Sequence, residues 1–159
     1  MPDTLINKTE QNYGSDYKAH LFQQYRLYIE GVEKSNDRRI NSNNYFIVIN
    51  TFFICFLGFI SRKIQLMGSP SYMLILCAVG ILICIIWISL ISSYKQLLVG
   101  KYKVVHEMEE NLPFFLFKYE WQVLGEGKNV KKYLPFTIVE SFIPWAFELI
   151  YVVLMVSSL

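Results

Sequence analysis

The sequence predicts an all-α membrane protein with three transmembrane helices, and three observations predict it. Residues Asn41–Ser61 and Ile64–Tyr94 contain no charged side chain, and Tyr133–Leu159 contains only Glu140 and Glu148. Each stretch exceeds the roughly 20 helical residues that cross a hydrocarbon core ~30 Å thick. The apolar share of 53% also exceeds the ~45–50% of ordinary soluble domains.

The basic residues then orient the spans. Lys8, Lys18, Arg26, Lys34, Arg38 and Arg39 precede the first span. Lys95, Lys101, Lys103, Lys118, Lys128, Lys131 and Lys132 come after the second. Only Arg62 and Lys63 separate spans one and two. The positive-inside bias therefore predicts a multi-pass membrane protein, with the N-terminus and residues 94–133 cytoplasmic and the C-terminus outside. No cleaved leader is expected, because the first apolar stretch begins far from residue 1. Asn7-Lys8-Thr9 fits a glycosylation sequon on the wrong side of that topology. The net charge of +2 gives no case for nucleic acid.

Residues 1–15 are polar and expected to be loosely ordered, with Ser15 or Asp16 capping the next helix. That helix is predicted to be cytoplasmic and amphipathic over 16–43, where Leu21, Tyr25, Tyr28 and Val32 are spaced 4, 3, 4, a narrow apolar stripe. Nothing but Gly31 weakens its passage into transmembrane helix one, residues 44–61. Transmembrane helix two, residues 72–93, has no stop at its inner end. Leu98, Val105 and Met108 carry a helical extension over 94–112 until Pro113. The two stripes are the expected oligomerisation surface, packing within or between subunits.

Residues 113–133 interleave aromatic and basic side chains around a Gly125-Glu126-Gly127 turn and read as a juxtamembrane hairpin. Trp121, Lys128, Lys131, Lys132 and Tyr133 suit the headgroup level, where rings and cations favour anionic lipid. Transmembrane helix three covers 134–158. On it Thr137, Ser141, Pro144, Glu148 and Tyr151 recur at 4, 3, 4, 3 with Glu140 beside them, an intramembrane polar seam. A carboxylate turned to lipid near mid-depth costs about 2.5–3.5 kcal/mol on insertion scales, so the seam is expected to face protein or a water-filled pore. Depth from each span's start puts Asn50 and Thr51 within reach of Glu140 or Ser141, as intrachain polar partners. It leaves Glu148 beside only Cys55, Gly58, Gly80 and Cys84, without a strong donor in its own chain, so Glu148 is expected either to be protonated and bonded to its copy in another subunit or to face water.

Chemistry is harder to find. Cys55, Cys77 and Cys84 fall inside spans and read as small packing residues. His106-Glu107 lacks the second histidine of a zinc-protease helix, since position 110 is Glu110. The Gly125–Lys128 segment lacks phosphate-loop spacing, and Glu107-Met108-Glu109-Glu110 reads as a solvated helix face. No metal site, cofactor or catalytic residue is expected, and the chain does not read as an enzyme.

Several segments resemble the RipA family of small octameric bacterial membrane proteins. They are Leu21–Glu30, Asp37-Arg38-Arg39, Asn43–Ile47, Lys103–Glu109, Glu120-Trp121, Leu124–Lys128, and Lys131-Lys132-Tyr133 with Pro135-Phe136-Thr137. Glu140 and Pro144 close the likeness, while Ile138 stands where that pattern often has a histidine. The resemblance implies a protein of the bacterial inner membrane that assembles as a large homo-oligomer, an octamer, without catalytic activity. Three functions stay open: a membrane assembly or scaffold in stress or defence, an ion channel or pore subunit with Glu148 lining the pathway, and a membrane adaptor for an unidentified partner protein.

Overall fold

The computed structural model of the protein describes residues 5–67, 70–128 and 131–158, the side chains at 62–67 and 70 excepted. The first four residues of the N-terminal segment, the junction at 68–69 between the first two spans, and Asn129 lie outside the described residues. Five helices occur in order: α1 (Glu10–Tyr13), α2 (Tyr17–Met67), α3 (Pro70–Glu109), α4 (Leu116–Val123) and α5 (Phe136–Ser157). Among the described residues there is no strand. Helices α2, α3 and α5 are each long and apolar enough to cross a membrane, and the protein is an all-α membrane protein.

Helix α2 runs unbroken for 51 residues, ~75 Å at 1.5 Å per residue. It carries the amphipathic stripe and the first span as one element, passes Gly31, and continues through Arg62 and Lys63. Helix α3 does the same over 40 residues. Helix α5 keeps its 22 residues across Pro144, whose missing N–H leaves the carbonyl of Glu140 without its helical donor.

The chain packs as two compact units, Met1–Arg38 with Lys95–Pro135 and Arg39–Tyr94 with Phe136–Leu159. In the first, α2 and α3 run antiparallel: Tyr25 meets Glu109 and Gly31 meets Lys101. Val32 and Val105 are buried between them with Met108. The apolar stripes thus close on each other inside one chain, and Val32, Val105 and Met108 are not free to form the expected oligomerisation surface. Residues 5–14 are also more structured than their composition predicts. The turn α1 ends at Gly14, whose φ of 102° suits a residue without Cβ, and the Tyr13 hydroxyl lies 3.0 Å from His20 Nδ1. This segment helps line a cavity of about 310 Å³ with Leu21, Gln24 and Met108.

The segment expected as a hairpin instead forms the two-turn helix α4. It ends on the turn Gly125–Gly127, where three successive residues take positive φ. A methyl at Gly127 would lie 3.2 Å from the Trp121 ring.

In the second unit α2 and α5 run parallel, because Arg39–Glu140 and Asn50–Tyr151 share one offset of 101 positions. Helix α3 runs antiparallel to α2, pairing Asn43 with Trp87 and Asn50 with Cys84. Leu57, Met73, Cys77, Cys84 and Tyr151 form the core, with Phe53 and Phe147 against it. Lipid is as apolar as these side chains, so close packing and hydrogen bonds, not water exclusion, hold the helices together here.

Candidate functional site

Heptad spacing on α2 turns Arg39, Asn43, Phe46 and Asn50, spaced 4, 3, 4, onto one face. Each of the three polar residues meets a partner on α3 or α5. Arg39 Nη1 donates to Glu140 Oε2 at 2.8 Å, with the side chains only 8% and 4% exposed. The guanidinium carbon also lies 5.9 Å from the centre of the Phe136 ring, within cation–π range. Arg39 Nε is sealed away without a hydrogen-bond partner among the described residues. Trp87 Nε1 donates to Asn43 Oδ1 at 2.9 Å, and its ring stacks on Phe46 at 5.6 Å.

Asn50 is the most densely bonded of the three. Its Oδ1 accepts from the Tyr151 hydroxyl at 3.0 Å and from the Cys84 thiol at 3.5 Å, while its Nδ2 donates to the Phe46 carbonyl at 2.9 Å. Tyr151 reaches it across Gly80, where an added Cβ would lie 2.5 Å from the ring. Glycine is required there by the approach of the ring itself.

These contacts correct the partner assignment made from depth. Glu140 pairs with Arg39, not with Asn50 or Thr51; Asn50 serves Tyr151, Thr51 is exposed, and Ser141 Oγ donates to the Thr137 carbonyl. Beginning the first span at residue 44 treats Arg38 and Arg39 as outside it. The observed offset of 101 positions slides α2 along its axis by ~13 Å relative to that alignment. The seam is also turned. Glu140, Pro144 and Tyr151 are buried within the chain, whereas Thr137, Ser141 and Glu148 are half-buried. Pro144 and Tyr151 therefore cannot line a pore or meet a sister copy. Glu148 Oε2 is the exception to the pairing rule. It is sealed and has no hydrogen-bond partner among the described residues. Cys55 is exposed.

In the first unit the polar centre is Glu109. It is completely buried, which overturns its reading as part of a solvated face. Oε1 accepts from the Tyr25 hydroxyl at 3.1 Å and the Phe117 N–H at 2.9 Å, and Oε2 from the Lys118 N–H at 3.0 Å. Helix α4 has no side-chain cap of its own at Phe115; a carboxylate from α3 supplies it, where the helix dipole favours negative charge. Burial, reinforced by the charge and hydrogen bond of Glu109, pushes the Tyr25 hydroxyl up to about 12. Sequence reasoning misses this site although a signal is present. Glu109 falls four residues after Val105 and seven after Tyr102, on the apolar stripe.

Of the remaining stripe residues, Leu21, Tyr25, Tyr28 and Leu98 are half-buried. Lys101 donates to the Gly31 carbonyl at 3.2 Å and sits 5.5 Å above the Tyr28 ring. Among the residues assigned to lipid, Trp121, Lys131 and Lys132 are exposed and Tyr133 half-buried. Lys128 forms a 2.6 Å ion pair with Glu126, which lowers the carboxyl and raises the ammonium. Among the described residues no group of His, Cys, Asp and Glu side chains could hold a metal ion.

No curated protein and no solved structure matches the chain. A family model described as the octameric membrane protein family (8xMP) matches residues 22–159, which takes in every polar pair of the two units from Tyr25 onward. The chain belongs to the octameric membrane protein family and is a homo-oligomeric, three-helix membrane protein.

Proposed function

We propose that the protein is a non-enzymatic membrane assembly, a scaffold of the bacterial inner membrane with its N-terminus and residues 94–133 in the cytoplasm. The lysine and arginine distribution supports that orientation. The observation that carries the reading is the Arg39–Glu140 pair: two buried, opposite charges bind each other as a strut between helices, an arrangement that fixes shape and offers nothing to a substrate. The narrower likeness to RipA proteins, and a role in stress or defence, go with this reading. Exposed Lys131 and Lys132 supply an anionic-lipid contact.

The test is electrical and structural together. The purified oligomer, reconstituted in planar bilayers, is expected to show a closed assembly by particle imaging and no ion conductance. A chain that co-purifies with one unrelated protein in fixed ratio would favour an adaptor instead.

One observation favours a second reading, an ion-conducting subunit. Glu148 Oε2 is buried without a hydrogen-bond partner among the described residues, and rings of carboxylates are a common way to build a cation pathway. Conductance that changes on Glu148→Gln while the oligomer stays intact would establish this reading and remove the first.

A further inference from the structure

We propose that the outer face of α4 is a contact between copies of this chain. Helix α4 is eight residues long and has no buried residue, yet an isolated helix of that length is unstable in water. It is held from its two ends. Glu109 fixes the first turn through the Phe117 and Lys118 N–H groups, and the Trp121 ring rests against Gly127, which also borders Pro135. Between these anchors Leu116, Tyr119 and Val123 recur at i, i+3 and i+7 with Phe115 beside them. They are 66%, 61%, 56% and 53% exposed. An apolar face this well ordered and this bare is the pattern of a protein contact, with rigid aromatic anchors already in place before the partner arrives.

Two observations choose a second copy over the bilayer. The family self-associates, so each chain has a surface for a sister, and Val32, Val105 and Met108, the centre of the two stripes that the sequence offers for it, are buried within the chain. The stretch of α3 that leads to the Glu109 anchor also carries Lys95, Lys101, Lys103 and Glu107. That is ~21 Å of charged helix from Lys95 to Glu109, unlike a segment lying at the acyl boundary.

The experiment places a photo-crosslinking residue at Tyr119 in cells (Tyr119→p-benzoylphenylalanine) and, separately, purifies Leu116→Glu/Tyr119→Glu in mild detergent. A crosslinked band at twice the chain mass is expected. The double variant should self-associate about tenfold or more weakly, as loss of two buried anchors does, with unchanged helix content. Crosslinks to lipid alone, to another protein alone, or to nothing would overturn the proposal. A double variant that remains fully oligomeric would overturn it as well. If the double variant does not fold, the crosslink decides.

Discussion

Arg39 and Glu140 stand 101 positions apart and close a 2.8 Å ion pair whose side chains are almost wholly sealed. Such a pair adds little over apolar residues of the same shape, because both ions lost their hydration on burial. Removing one partner is different, since the other charge is then stranded. Arg39→Met alone is expected to destabilise the protein by about 3–5 kcal/mol, while Arg39→Met/Glu140→Leu recovers most of the loss. Unfolding followed by helicity in mixed micelles measures both. Equal losses in the single and double variants would refute the pairing.

Gly80 gives a steric test. Its added methyl would overlap the Tyr151 ring at 2.5 Å, and that ring is fully buried. Gly80→Ala should therefore cost about 1–3 kcal/mol, as overpacking does. Tyr151→Phe should not rescue it, because the ring remains, whereas Tyr151→Leu should. The same unfolding measurement, arranged as a double-mutant cycle, separates these outcomes.

Glu109 sets the order of α4. Glu109→Ala removes both backbone acceptors and leaves the first-turn N–H groups uncapped, so amide exchange at Phe117 and Lys118 should accelerate and proteases should cut between Phe114 and Val123. The loss is expected to be about 1–3 kcal/mol. Unchanged exchange at those two amides would show that the carboxylate does not hold the helix.

Tyr25 supplies a pH dependence. Its hydroxyl ionises near 10.0 when free and about 12 in the folded chain, so the folded state holds its proton more tightly. That stability is fully present below pH 10 and is lost as pH rises towards 12. Tyr25→Phe should flatten this part of the stability profile. A variant profile identical to the parent's in the alkaline range would argue against the contact.

Lipid binding separates the lysines. Lys128 and Glu126 neutralise each other, so Lys128→Gln/Glu126→Gln together should leave binding to anionic headgroups almost unchanged. Lys131→Gln/Lys132→Gln should reduce it, and more so at low ionic strength. Surface plasmon resonance of detergent-held protein against anionic headgroups is the suitable readout, because flotation on vesicles would also register insertion of the spans.

Much of the helical layout is legible because charge-free length is an unambiguous signal in a bilayer, and because no proline interrupts residues 16–60. The polar register is not. Arg39 lies seven residues after Val32 and fourteen after Tyr25, on the same stripe, yet as a cation it counts towards topology and falls outside the span. With the first span begun after it, every depth comparison shifts and Glu140 is matched to Asn50 and Thr51. Glu109 escapes notice for the same reason, a charged residue on an apolar stripe judged by type and not by position. Helix α4 cannot be read from its own residues, since the group that caps it comes from α3. Gly80 leaves no trace in sequence beyond being small.

Trp87 offers a practical opening. Its indole is wholly sealed, clasped by an amide oxygen on a neighbouring helix and stacked face to face on Phe46. Trp145 and Trp121 are partly bare. With those two replaced by Phe, the fluorescence of the remaining ring becomes a native gauge of whether α2 and α3 keep their register, readable in the purified, reconstituted protein without any added dye.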